Sequence, residues 1–302
     1  MRYNLLFLFV ILFIVIFLII ENVNKVDSFI DKKYANLSSE DLEKFSKYNL
    51  YLKQSLLDFN VNSYGKKKVK IPLNVFHTYE TQLQYKMKEN YEKLKSQNPQ
   101  FRFYFYDDNM RREFISKHFN KDVLEAYDTL LPGAYKADLW RYCILYKMGG
   151  IYMDIKYTLS NNTQYKLINL TDKEYYVRDS FVFDEGRKLT KYDGEYVAQG
   201  FLVVKKNNKI MLKCIEKIVS NCKNKDTSDG LLGVTGPALI AKVIHDNIEL
   251  CKYADIKSLK NIRSGINYKN EPFLDVDVKV YKSYKGKNKK DYAVMWPNIY
   301  SY

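Results

Sequence analysis

Apolar residues are distributed along the chain in three regimes. From Leu5 to Ile20 every side chain is apolar (LLFLFVILFIVIFLII). At helical rise this run spans about 24 Å, a little short of a ~30 Å hydrocarbon core. Met1, Tyr3 and Val23 extend it at the interfaces. A cleaved signal peptide has a shorter apolar run followed by a small-x-small site. Here the run ends in Glu21-Asn22-Val23-Asn24, so residues 1–23 are expected to form an uncleaved transmembrane signal-anchor. Arg2 lies on one flank, and Glu21, Lys25 and Asp27 roughly cancel on the other. That asymmetry predicts a cytosolic N-terminus, a single pass and a lumenal main domain. Residues 24–69 are polar and read as a stem. It carries a helix-like stretch over Ser39–Leu57, opened by SSEDLEKF with its capping-box pattern, and SYGKKKVK links it to the main domain.

From residue 70 onward the pattern alternates between periods of two and of 3.6. Short strands are predicted near Asn74–His77 and over Phe101–Tyr106, and again at IYMDI, FLVVK, DVDVKVY and YAVMW. Amphipathic helices are predicted over Gln82–Leu94, Met110–Phe119, Val123–Leu130, Lys209–Asn221 and Pro237–Asp246. The clearest helix is AYKADLWRYCILYKMGG, in which Ala137, Trp140, Ile144 and Met148 recur at helical spacing and Gly149 follows as a C′ residue. Alternating strands and helices imply an α/β domain with a mostly parallel central sheet over 70–302.

Composition changes this picture little. The formal charge is +14, with dense runs at Lys66–Lys68 and Lys70 and at Lys285, Lys287, Lys289 and Lys290. A basic surface suits anionic partners, but no zinc-finger or RNA-recognition signature accompanies it, and nucleic acid is not an expected partner. Cys143, Cys214, Cys222 and Cys251 form no C-x-x-C pair, which argues against a zinc site. Cys143 reads as a core thiol, and a disulfide among the other three stays open. Sequons stand at Asn36, Asn161 and Asn169. Neither G-x-G-x-x-G after a strand nor a P-loop is present.

The candidate chemistry gathers around GGIYMDIKY. In an open α/β sheet, ligands bind at the carboxyl ends of strands. Asp154 occupies such an end, where a carboxylate suits a hard cation and substrate phosphates. On the preceding helix, Asp138, Arg141 and Tyr142 share a face, with Lys136 beside them. The planar fork of Arg141 matches a phosphate.

The segment KADLWRYCILYKMGGIYMDIKY is similar to the D-x-x-R-Y-x-x-L-Y-x-x-G-G-I/V-Y-x-D-x-D block of DXD-containing glycosyltransferases. Family 32-like enzymes of this kind include fungal initiating α-1,6-mannosyltransferases and the glucosylating domains of large clostridial toxins. IPLNVFHTYET, FYFYDD and GVTGPALI resemble flanking segments, and Gln199-Gly200-Phe201 stands where the family often has Asn-Gly-Phe. The resemblance covers roughly residues 71–240. It implies a GT-A-type fold, a UDP- or GDP-linked sugar donor, and Mn2+ or Mg2+. It also implies a glycan, glycoprotein or glycolipid acceptor and a retaining hexosyl transfer.

Carried over by position, Asp138, Arg141, Asp154 and Gln199 would be catalytic, and Asp154 the metal ligand. The donor would meet Phe76, His77, Tyr79 and Lys136 on one side. On the other it would meet Asp138, Arg141, Tyr142, Gly150, Tyr152 and Lys156, with Trp296 from the C-terminal segment. The resemblance departs at three places. The second Asp of the motif is Lys156, which cannot ligate a metal. The strand histidine aligns with Phe76, one place before His77. Of the usual C-terminal motif only Trp296, Ser301 and Tyr302 remain. A second D-x-D, Asp275 and Asp277, lies in a strand-like run without the preceding glycines. The Lys156 departure also fits a catalytically inactive carbohydrate-binding or scaffold protein with the same fold.

Overall fold

The computed structural model describes residues 71–83, 85–179, 196–262, 264–277 and 299–301. The apolar run Leu5–Ile20, the stem helix, the YAVMW strand and Trp296 lie outside the described residues. No helix among the described residues is long and apolar enough to cross a membrane. The chain divides into compact units 1–63 and 64–302, and the described residues all belong to the second.

The elements run in order β1 (Asn74–Thr78), α1 (Tyr85–Gln97), β2 (Arg102–Tyr106), α2 (Asp108–His118), α3 (Lys121–Thr129), α4 (Gly133–Met148), β3 (Gly150–Met153) and β4 (Tyr157–Leu159). There follow β5 (Tyr175–Asp179), β6 (Tyr196–Val204), α5 (Lys209–Asn224), α6 (Pro237–His245), β7 (Leu259–Ile262), β8 (Gly265–Tyr268) and β9 (Glu271–Val276). Several boundaries are fixed by local chemistry. Asp107 caps α2 by accepting from the Met110 N–H at 2.9 Å, and Asn208 caps α5 by accepting from the Met211 N–H at 2.9 Å. Pro237 opens α6 at a position where its missing N–H costs nothing.

The strands form one sheet in the order β2-β1-β3-β6-β5-β7-β8-β9-β4. It is mixed, which corrects the expectation of a mostly parallel sheet. Among the described strands, only β1–β2, β1–β3 and β5–β7 pair parallel. Their other pairings are antiparallel. The reason is visible in the connections. Helical crossovers join the first three strands, and those strands come out parallel. The consecutive strands β7, β8 and β9 turn back directly: Lys269 and Asn270, both at positive φ (53° and 68°), link β8 to β9 in the manner of a type I′ hairpin turn.

Strand β3 is buried on both faces. Tyr152 joins the core shared with α2 to α6, and Ile151 and Met153 join the core on the opposite face. Helix α4 is also enclosed, with Leu139, Trp140, Tyr142, Cys143, Ile144 and Leu145 at 0% exposure. Gly149 joins the two at φ 66°, and a Cβ there would stand 2.4 Å from the Lys206 backbone nitrogen. Only glycine meets both conditions. All four cysteines are buried and free.

Candidate functional site

The site grows from the junction of α4, β3 and β6. β6 bulges against β5: Leu202 pairs with Tyr176, but Val197 pairs with Arg178. Two backbone carbonyls of this stretch of β6 bond neighbouring elements: one lies where β6 is out of step with β5, and the other continues the regular β3–β6 register. The Gln199 carbonyl accepts from Arg141 Nη1 at 2.8 Å, and the Gly200 carbonyl accepts from the Asp154 N–H at 2.8 Å.

Arg141 is buried, at 7% exposure. Its Nη2 lies 3.1 Å from Asp138 Oδ1, and its guanidinium sits 4.5 Å from the centroid of the Tyr152 ring. Tyr152 bridges to the strand end, where its hydroxyl donates to Asp154 Oδ1 at 2.8 Å. Asp138 is fully buried and accepts from Thr235 Oγ1 at 2.8 Å. It is paired with Arg141 and has no exposed surface of its own. Tyr142 is likewise at 0% exposure and donates to Gln199 Oε1. Its burial pushes the phenol well above its ordinary pKa.

Asp154 and Lys156 are both about a quarter exposed at their side chains, and their charged ends are 2.9 Å apart. Continued strand alternation does not bring them together. The Tyr157 N–H donates to the Asp154 carbonyl at 3.1 Å, closing a turn that folds Lys156 back. Asn90 of α1 pins this turn by donating to the Ile155 and Tyr157 carbonyls at 3.2 and 3.0 Å. The Asp277 N–H donates to the Lys156 carbonyl at 2.9 Å. Burial raises the Asp154 pKa, but the charges of Lys156 and Arg141 and the hydrogen bonds from Lys156 and Tyr152 outweigh it, and the net shift is downward. Asp154 is thus held ionised.

The remaining expected residues scatter. Phe76 is fully buried in the helix-side core, stacked on Tyr104 at 5.3 Å. His77, on the other side of β1, is 1% exposed between Tyr91 and Phe103. Neither of its ring nitrogens has a well-formed hydrogen bond. Desolvation lowers its pKa to about 4, against small opposing effects of the Met153 backbone and the Asp154 charge. Tyr79 packs partly buried against the α1 cluster of Met87 and Tyr91. Gly150 is buried, with the Asn74 backbone against it. Lys136 leans over the Tyr127 ring at 5.1 Å. There it joins a separate network, in which buried Arg111 donates to Thr78 Oγ1 (2.6 Å), Asp108 Oδ1 (2.7 Å) and the Tyr127 hydroxyl (3.2 Å).

Four participants were not legible as site residues: Asn90, Tyr157, Gly200 and Thr235. An Asn on the buried stripe of α1 beside Met87, Tyr91 and Leu94 was a usable signal for Asn90. The GVTGPALI segment pointed toward Thr235.

A divalent metal does not fit the donor set that the described residues provide. Asp154 is the one carboxylate at the strand end where the D-x-D motif falls, and the Lys156 ammonium, 2.9 Å from its Oδ2, already supplies the opposite charge. The described residues contain no group of three or more His, Cys, Asp or Glu side chains able to hold a metal, Asp275 and Asp277 included.

Residues 85–179 match the family described as glycosyltransferase sugar-binding region containing DXD motif. An uncharacterized glycosyltransferase of Acanthamoeba polyphaga mimivirus is 33% identical over 95 residues, covering 28% of this chain. The chain spans 38% of that relative's length. Among solved structures, PaToxG glycosyltransferase aligns over 68% of this chain and 79% of its own, at 15% identity and a TM-score of 0.43. The matched segment runs from α1 to β5, and includes Asp138, Arg141, Asp154 and Lys156.

Proposed function

We propose that this chain is a membrane-anchored glycosyltransferase that moves a hexose from a UDP- or GDP-linked donor to a glycan, glycoprotein or glycolipid acceptor, with retention of anomeric configuration. One observation carries the reading. Within the matched segment, the Asp138–Arg141 pair and Asp154 converge at the carboxyl end of β3, joined through Tyr152. The anchor rests on the Leu5–Ile20 run, and the lumenal placement on its flanking charges.

In this reading the bond from the anomeric carbon to the diphosphate oxygen breaks, and its electron pair stays with the diphosphate. The acceptor oxygen bonds to the anomeric carbon on the same face, and its proton passes to the departing diphosphate. Charge develops on that diphosphate as the bond breaks, and fixed donors aimed at developing charge are a large source of rate enhancement. Arg141 is suited to this because Asp138, the Gln199 carbonyl and the Tyr152 ring already fix its orientation, so little reorganisation accompanies the step. Ionised Asp154 is placed to accept hydrogen bonds from donor hydroxyls.

The test is a screen of UDP- and GDP-sugars with the purified full chain, reading nucleoside diphosphate release. Turnover that disappears in Asp154→Ala is the expected result. Binding of a nucleotide-sugar without turnover would favour the inactive scaffold, the reading that Lys156 also fits. Binding of none of them sinks the proposal.

A further inference from the structure

We infer that this site neutralises the donor diphosphate without a divalent metal, the Lys156 ammonium standing in for the cation. The inference rests on the nucleotide-sugar reading above and specifies how that site handles charge.

Its first ground is charge. A D-x-D site holds a divalent cation with carboxylates, because hard cations take oxygen ligands. Replacing the second carboxylate with an ammonium turns one negative charge into one positive charge. That change of two equals the charge of the divalent ion itself. Here Lys156 balances Asp154, as Arg141 balances Asp138. The four side chains sum to zero, which is also the sum for two carboxylates, a divalent ion and the same Arg–Asp pair. A metal added to the present site would leave it doubly positive.

The second ground is position. A lysine on a freely solvated strand end would not be organised for this work. Lys156 is held on three sides: by the turn that the Tyr157 N–H closes, by Asn90 beneath that turn, and by the Asp277 N–H on its carbonyl. Its ammonium lies 2.9 Å from Asp154 and 5.1 Å from the centroid of the Tyr157 ring. The side chain remains 27% exposed, so an incoming diphosphate can reach it. As a diphosphate binds, the ammonium keeps one of its three donors on Asp154 and turns the others to phosphate oxygens. The ammonium is then in place to meet the charge left on the diphosphate when the anomeric bond breaks.

The experiment titrates the full chain calorimetrically with UDP and with GDP, once in EDTA and once in Mn2+. For the wild type, one of the two diphosphates binds with affinities within about threefold in the two buffers, because the charge-assisted contact is built in. Lys156→Met weakens that binding about tenfold or more in both buffers. Lys156→Asp binds poorly in EDTA and regains at least about tenfold with Mn2+, since it restores the oxygen ligand pair. Should Lys156→Met prove unfolded, Lys156→Arg carries the test and keeps metal-independent binding. Wild-type binding that requires Mn2+ overturns this inference and leaves the glycosyltransferase reading standing. Lys156→Met binding like the wild type does the same. Binding of neither diphosphate in either buffer overturns both.

Discussion

Substituting Asp138→Asn removes one charge from a pair that is almost wholly enclosed. The Asp138 side chain is 0% exposed and that of Arg141 8%, with 3.1 Å between them. At an effective dielectric near 20 that separation corresponds to about 5 kcal/mol of attraction. Breaking a buried pair by neutralising one partner costs about 3–5 kcal/mol, because the other charge stays in a poorly solvated place. The two figures agree, although the Gln199 carbonyl and the Tyr152 ring retain part of the stabilisation of Arg141. A loss near 3 kcal/mol would lower the melting temperature by about 6–12 °C for a domain of this size. Urea unfolding of the wild type, Asp138→Asn, Arg141→Met and the double variant measures it. The double variant is expected to be more stable than Asp138→Asn alone, since it no longer buries a guanidinium that has lost the Asp138 counter-charge. If Asp138→Asn costs under about 1 kcal/mol, or the cycle shows no coupling, Asp138 is not the anchor of Arg141 and the reasoning fails.

Other expectations follow from single contacts. His77 stays neutral in the folded chain down to about pH 4, whereas in the unfolded chain it takes up a proton near 6.5. The unfolded state thus binds more protons in that window, and stability falls as pH drops from 6.5 to 4, by about 3 kcal/mol from this residue. Unfolding of His77→Phe should show a shallower pH dependence than the wild type over that range, and an unchanged slope would disprove the assignment. At Gly200 an added Cβ would stand 2.8 Å from Asp154 Oδ2 and 3.3 Å from Tyr157 Cε2. Gly200→Ala should cost about 1–3 kcal/mol and depress donor hydrolysis, and wild-type turnover would show that this close approach is unnecessary. Asn90→Ala leaves the Ile155 and Tyr157 carbonyls without their donor, a loss of about 1–3 kcal/mol. Asn90→Asp, which cannot donate, should do no better in the same urea assay.

By itself the sequence determined what is local. Pro237 at the start of α6 and the Gly149 stop of α4 each act within a turn or two of backbone, and the helices they bound appear close to their expected limits. The chemistry-bearing block was legible too, because Asp138, Arg141 and Asp154 lie on consecutive elements joined by two glycines. What the sequence could not decide depends on partners far along the chain. An Asp and an Arg three apart on a helix are ordinarily a surface pair; Thr235 and the Gln199 carbonyl, 97 and 58 residues away, make this one interior. The strands β4, β5, β7 and β8 were not expected; they are no shorter as a group than β1 and β3, except for the three-residue β4. The turn from β8 to β9 uses Lys269-Asn270 where Asn-Gly would have announced a hairpin. Nor could alternation place Lys156 against Asp154. That contact exists because the strand ends in a turn, and the turn is held by Asn90 and by the Asp277 N–H, 66 residues before and 121 residues after Lys156. Backbone propensity is set within a few residues, whereas the burial and pairing of polar groups are set by whichever distant segment supplies the complementary donor or acceptor.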